Sequence, residues 1–318
     1  MANRVQDLLG VEIPIVQAPM TFIARAGLAA AVSNAGGLGV VESLSTEGRD
    51  DLRLMRELTD KPFAANLMIQ GWKHDPSIVD VLASAGVPVV TTSAGDPALF
   101  TERLHDAGIT VLHVVGNLRG AQKAAAAGVD GLVVEGVEGG GFKGAFGAST
   151  LVLLPLVAQH VDLPLIAAGG ICDAASMAAA FVLGAEGVQM GTRMLATHEA
   201  GVHQNFKDAI LAAGDDGTVL LSVPGNPTMR VLRNDLATGA QADVQAGVQA
   251  GVRSGDPSDT KLLGGIHDLY FSGDMEASVA NTGQVSARIT ELAAVEDVVR
   301  GTWAGCRAAL DAAIERLA

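Results

Sequence analysis

The 318-residue chain has only two cysteines, Cys172 and Cys306. Neither lies in a C-x-x-C or other metal spacing, and two thiols give no disulfide framework. That excludes a disulfide-stapled secreted scaffold and fits a reducing cytoplasm. Positive charge is also scarce: 21 Lys and Arg stand against 35 Asp and Glu, a net charge of −14. No basic footprint suits a nucleic acid, and no Lys/Arg run suits an anionic membrane surface. No apolar run reaches the ~18 residues of a membrane-spanning helix. Met1–Asp7 shows no signal-peptide core. The seven histidines form no cluster with metal spacing, so no metal requirement is expected. His198 and His203, on one predicted helix, are five apart and do not share a face. The expectation is a cytoplasmic protein with a small-molecule partner and no nucleic-acid or membrane partner; its oligomeric state stays open.

What the chain does have is 49% hydrophobic residues with 3% aromatics, and 39 glycines. Short apolar runs recur at Ile13–Ala18, Gly37–Val41, Phe63–Leu67, Pro88–Thr92, Thr110–Val115, Gly131–Glu135, Pro164–Ala168 and Gly187–Gly191. They are continuous rather than alternating, as strands buried on both faces are. Helix-length segments lie between them: Ala24–Asn34, Gly48–Leu58, Pro76–Ala85, Pro97–Ala107, Leu118–Ala127, Leu151–Gln159 and Ala174–Leu183. Ala-Gly pairs at 35–36, 85–86, 107–108 and 127–128 end several of these helices. Eight such units predict an α/β fold, a (β/α)₈ TIM barrel. An open doubly wound sheet is the alternative, but the first strand ends in Gln17-Ala18-Pro19-Met20, without its glycine fingerprint. The reading divides the chain into a barrel core at 1–196, a mostly helical lid or insertion at 197–285, and a closing C-terminal helix within 286–318. Residues 197–212 read as helix, Pro224–Pro227 as a turn cluster, and 237–258 as Ala/Gly/Gln-rich.

Three glycine turns close the last three strands: Glu135-Gly-Val-Glu138-Gly-Gly140-Gly-Phe142-Lys143-Gly144, Ala167-Ala-Gly169-Gly170-Ile171 and Gln189-Met190-Gly191-Thr192-Arg193. Glycine lets a backbone approach a ligand, and exposed amides there suit an anion. The last two turns follow the seventh and eighth strands, where barrels of this kind hold phosphate. A helix beginning near Asp173 adds the partial positive charge of its N-terminus. One phosphate-bearing cofactor is therefore expected.

These turns, with Gln17–Met20, Ala35-Gly-Gly-Leu-Gly39, Asn66-Leu-Met68 and Thr91-Thr-Ser-Ala-Gly95, resemble the flavin-dependent nitronate monooxygenase superfamily. The superfamily includes 2-nitropropane dioxygenases, FMN-dependent enoyl-acyl-carrier-protein reductases and NADH:quinone reductases. The similarity runs from Leu8 to Gln284. It implies non-covalent FMN at the barrel mouth. Ala18, Pro19 and Met20 would line it, and Asn66 and Glu135 would meet the ring or ribityl chain. Gly140, Gly169, Gly170, Gln189, Met190, Gly191 and Thr192 would surround the phosphate. Gln284, in Thr282-Gly-Gln, would bond the ring edge or hold the closing segment.

The chain departs from the family in one loop. The family's loop after the sixth strand reads glutamine-glycine-x-glutamate-x-glycine-glycine-histidine; here Glu135 leads and Phe142 stands at the histidine. Phenylalanine moves no proton. A neutral nitroalkane loses its base, and an apolar wall takes its place. Lys143 is the replacement candidate, as proton donor or holder of an anionic group, unless it points to solvent. Glu138 either orients Lys143 or is a solvated loop carboxylate. His113 reads as a core or supporting histidine, Cys172 as a buried small side chain. His74 either lines substrate entry or sits in an ordinary loop. The functional expectation is an NAD(P)H-dependent FMN reductase of an activated C=C bond such as an enoyl thioester. The alternatives are a nitronate monooxygenase using O₂, a quinone reductase, and a flavin-binding protein without catalysis.

Overall fold

The computed structural model describes residues 3–144, 147–222, 228–245 and 264–317. Its strands are β1 (Ile15–Gln17), β2 (Gly39–Glu42), β3 (Phe63–Met68), β4 (Val89–Ser93), β5 (Thr110–Val115), β6 (Gly131–Glu135), β7 (Gly141–Phe142), β8 (Leu165–Ala168), β9 (Gly187–Met190), β10 (Thr218–Leu221) and β11 (Met229–Leu232). Eight of them pair in parallel in the order β1-β9-β8-β6-β5-β4-β3-β2. A parallel bridge from Val16 to Leu38 links β1 to β2, so the sheet closes on itself. This is the (β/α)₈ barrel expected from the alternation of strand and helix.

Alternate side chains along the strands serve two cores. Val16, Val40, Ala64, Leu112, Val133 and Ile166 form one cluster with Val5 and Leu9 of the helix Arg4–Leu9. That cluster fills the barrel interior. Their sequence neighbours Ile15, Val41, Ala65, Val111, Val134 and Ala167 join the outer cluster with the surrounding helices. The Ala-Gly ends behave as read: Gly36, Gly86, Gly108 and Gly128 all have positive φ, from 66° to 101°. Helix starts are capped by Ser45, Asn117 and Asp173, each accepting from an amide three residues on.

The later chain differs from its sequence reading in three places. Of two short helical pieces here, Thr192–Leu195 and Gln204–Leu211, only the second falls within the helix expected over 197–212. His203 caps the second piece and His198 precedes it, so the two histidines share no helix. The closing helix expected from Ser286 is a 3₁₀ turn, Gln284–Arg288, then a helix at Val295–Glu315. Between them Thr197 bridges to Ala293, an extended pairing that a helix cannot make. Within 197–285 the structure also holds the hairpin β10–β11, beside helices such as Asp235–Gln245. β11 pairs with β7, Met229 opposite Phe142 and Arg230 opposite Gly141. The loop after the sixth barrel strand is thus an edge strand of a three-stranded cap sheet. The turn cluster Pro224–Pro227 and the glycine-rich stretch beyond 245 lie outside the described residues. No helix among the described residues is long and apolar enough to cross a membrane.

Candidate active site

A cavity of about 1280 Å³ opens where the barrel strands end. The barrel interior changes character there. Below are the aliphatic residues of the inner cluster; at the strand ends the lining includes Asn66 of β3, Ser93 of β4, Glu135 of β6 and Gln189 of β9. Asn66 is buried, and its amide nitrogen donates to the Thr91 carbonyl at 2.9 Å and to Ser93 Oγ at 3.3 Å. Gln189 is buried too, and its Oε1 has no partner among the described residues. A buried amide oxygen left without a donor is costly, which points to a donor supplied by a ligand.

Ala18, Pro19, Met20, Gly140, Gly169, Gly170, Gly191 and Thr192 line the same cavity. Gly169 and Gly170 sit at φ 84° and 81°, consecutive left-handed positions that side-chain-bearing residues rarely take. The amides of Gly170 and Ile171 donate to no acceptor among the described residues. Thr192 Oγ1 accepts from the Gly283 amide at 2.9 Å, which leaves its own proton to give. The helix Ala174–Val182 contributes less than its position suggested, because Asp173 already caps it through Ser176 N at 2.9 Å. Burial works to raise the Asp173 carboxyl, but bonds from Ser176 and the Arg288 guanidinium outweigh it and hold it below the ordinary value. Anion-holding capacity at this end of the cavity rests with the glycine amides and Thr192.

The third glycine turn carries the charged groups. Lys143 points inward: its side chain is 3% exposed and Nζ lies 2.5 Å from Glu135 Oε1. A Cβ at Gly139 would lie 2.6 Å from that oxygen and 2.8 Å from Nζ, so only glycine there admits the pair. Phe142 precedes Lys143 on β7, lines the cavity and is 47% exposed. Glu138 does not orient Lys143; its carboxylate accepts from Thr150 N at 3.0 Å, at the start of the helix Thr150–Ala158.

Three expected site residues lie elsewhere. Met190 is fully buried in the outer core, because the strand's alternation turns it away from Gln189. Gln284 is exposed, and only its backbone is engaged, donating to the Glu138 carbonyl at 2.9 Å. It therefore holds the closing segment. His74 is exposed and outside the cavity lining. His113 is buried against Thr92, Nδ1 to Oγ1 at 2.8 Å, and burial pushes its pKa down to about 4. Cys172 is buried, and burial raises its thiol. Among the described residues no group of three His, Cys, Asp or Glu is placed to hold a metal ion.

Sequence reasoning missed the cap's share of the lining: Met229, Ile266, Tyr270, Asn281 and Val285. It also missed Arg230, which is buried, with Nε 2.8 Å from the Val137 carbonyl and a terminal nitrogen 3.2 Å from Thr218 Oγ1. The available signal was an arginine inside the apolar run Met229–Leu232.

The model of the family described as nitronate monooxygenase matches residues 2–77 and 71–303. A Rhodococcus jostii protein, (3aS,4S,5R,7aS)-5-hydroxy-7a-methyl-1-oxo-octahydro-1H-indene-4-carboxyl-CoA dehydrogenase, is 38% identical over 76% of this chain and 68% of its own. A nitronate monooxygenase of Pseudomonas aeruginosa is 32% identical over 76% of this chain and 83% of its own. Among solved structures, FabK from Thermotoga maritima superposes with a TM-score of 0.89 at 34% identity, covering 99% of both chains.

Proposed function

Because the chain belongs to the nitronate monooxygenase family, as an oxidoreductase of that superfamily, we propose that it is an FMN-dependent, NAD(P)H-using reductase of an activated C=C bond in a thioester. The carrying observation is the turn at 135–143, where Phe142 occupies the family's histidine position and Lys143 is paired with Glu135 in the cavity.

The residues present fit an FMN. Among the described residues Gln189 Oε1 meets no donor and the Gly170 and Ile171 amides meet no acceptor, while Thr192 has a hydroxyl proton to give. Asn66, Glu135 and Gln189 would hold the ring and ribityl chain; the glycine turns and Thr192 would hold the phosphate. FMN supplies hydride-transfer chemistry when bound. The cavity of about 1280 Å³ exceeds the ~300–1,000 Å³ of ordinary small-molecule pockets. It has room for a nicotinamide or a substrate, in turn, beside a cofactor.

In the net reaction a hydride adds to one carbon and a proton to the other, while NAD(P)H becomes NAD(P)⁺. Phe142 shapes an apolar wall and moves no proton. Lys143, beside Glu135, is the cavity group through which the proton would come, or else water delivers it. Abstraction of a proton from a neutral nitroalkane has no histidine at position 142 to perform it, and His113, which also lines the cavity, has Nδ1 engaged by the Thr92 hydroxyl; both count against nitroalkane oxidation. A second reading, dehydrogenation of a CoA-linked acid with the hydride passing to the flavin, is favoured by the identity to the R. jostii dehydrogenase.

The test is anaerobic. Protein carrying bound flavin should bleach with NADH or NADPH and recolour with crotonyl-coenzyme A. Bleaching by a nitronate but by neither nicotinamide would replace this reading with the monooxygenase.

A further inference from the structure

From the unspent donors of Lys143 we infer that this cavity contains a fixed cationic subsite for the carbonyl oxygen of a thioester. The inference rests on the thioester reading above and adds the atom that is recognised. Lys143 carries three N–H donors, and among the described residues only one acceptor, Glu135 Oε1, meets them. A side chain that is 3% exposed cannot satisfy the other two in bulk water. The residue lines the cavity, and we assign these two donors to it.

The placement is built rather than incidental. The Lys143 amide donates to the Thr228 carbonyl at 2.8 Å, and the residue before it is held in register with Met229. Arg230, one position on, holds the Val137 carbonyl at 2.8 Å, so the loop is pinned at both ends of the glycine run. Gly139 leaves space for the ammonium and the carboxylate to meet. An ammonium fixed in this way, with donors to spare, suits an oxygen that carries partial negative charge. In a conjugated thioester that oxygen is the carbonyl, where charge builds as a hydride adds to the far carbon. Phe142, the residue before it, also lines the cavity and suits the hydrocarbon part of the acyl group.

The experiment compares two non-reacting ligands on the flavin-loaded protein by calorimetry: butyryl-coenzyme A, and its butyl thioether, which lacks only the carbonyl oxygen. Wild type should bind the thioester at least 10-fold more tightly than the thioether. Lys143→Met should bind both alike, at the wild-type thioether affinity, and Lys143→Arg should restore part of the preference. Flavin content, read by absorbance, checks that each variant is loaded. Equal binding of the two ligands by wild type overturns the subsite without needing any variant. A preference that persists in Lys143→Met assigns the carbonyl to another donor and also overturns it. Wild type that binds neither ligand removes the thioester reading along with the subsite.

Discussion

The barrel wall of the cavity and its cap wall are built on different rules. The barrel contributes residues at fixed places, the last positions of parallel strands and the glycine turns after them: Asn66, Glu135, Gly169, Gly170, Gln189 and Gly191. Asn66, Glu135 and Gln189 are positioned by the parallel ladder and by the apolar layer beneath it, and the glycines follow directly on β8 and β9. The cap contributes Met229, Ile266, Tyr270, Asn281 and Val285, mostly apolar and drawn from scattered segments after residue 220. The two meet at the 135–143 turn, which leaves the barrel as β6 and enters the cap as β7. A cofactor common to a family belongs on the first wall, and a substrate that differs within it on the second. Charge at the meeting point, Lys143 with Glu135, is then shared by both functions.

The sharpest way to break this division is Gly191→Asp. Gly191 has an ordinary φ of −105°, and a Cβ there meets only Ala18 Cβ, at 3.4 Å. The fold should accept the residue while its carboxylate enters the phosphate end of the cavity. On the proposed reading the protein should purify without flavin, as measured by absorbance. Full flavin occupancy would mean the anion end of the cavity is elsewhere.

Phe142→His tests the other wall. It returns a base to the family's position, on a strand whose backbone pairing with Met229 does not depend on the side chain. Oxidation of a neutral nitroalkane should rise by ~10²-fold or more, with flavin content unchanged. The readout is anaerobic flavin bleaching by nitroethane. A wild type that already bleaches rapidly would show that a base other than a histidine at 142 is at work.

Arg230→Met asks whether cap and turn are coupled. Burial holds the Arg230 guanidinium below its ordinary pKa, partly offset by the charge of Glu138. Its removal leaves the Val137 carbonyl without its side-chain donor. The expected loss is about 1–3 kcal/mol in urea unfolding, the cost of a buried unsatisfied group. Flavin content should hold, because the barrel wall is untouched. Equal loss of flavin and stability would merge the two walls into one unit.

The two walls also differ in how far the sequence revealed them. Barrel strands announce themselves because both faces are mostly buried: Thr110–Val115 and Gly131–Glu135 are largely apolar runs, broken by His113 and ended by Glu135, and their bounds match the sequence reading to the residue. The Gly169-Gly170 turn was legible for a local reason, since its two consecutive positive φ values exclude most side chains. Met190 was misplaced because a motif names consecutive residues whereas a strand sends alternate ones to opposite faces. The cap was not legible because its pairing is long-range. Nothing in Met229–Leu232 says that Phe142 lies opposite, and a two-residue strand such as β7 has no periodicity to read. Gln284 illustrates the same limit: its amide on the Glu138 carbonyl is a tertiary contact, invisible in Thr282-Gly-Gln itself.

His113 offers the mildest probe, confined to the barrel wall. Its ring packs between β4 and β5 with Nδ1 on the Thr92 hydroxyl, and Thr92 in turn lies 3.0 Å from the Leu112 carbonyl. Desolvation holds the imidazole at a pKa of about 4, with the Asp96 charge opposing and the Lys123 charge assisting. The folded pKa is below the ordinary 6.5, so the folded state binds fewer protons than the unfolded chain in between. Stability from this group is therefore complete above pH 6.5 and is lost as pH falls toward 4. The loss between pH 6.5 and pH 5 should be about 1.5 kcal/mol. His113→Phe keeps the ring volume, removes the titration and should flatten that segment of the urea-unfolding profile. Its stability at pH 7 should drop slightly, because the Thr92 hydroxyl loses one partner. An unchanged slope between pH 6.5 and 5 in His113→Phe would assign the acid sensitivity to the carboxylates and place His113 in ready contact with solvent.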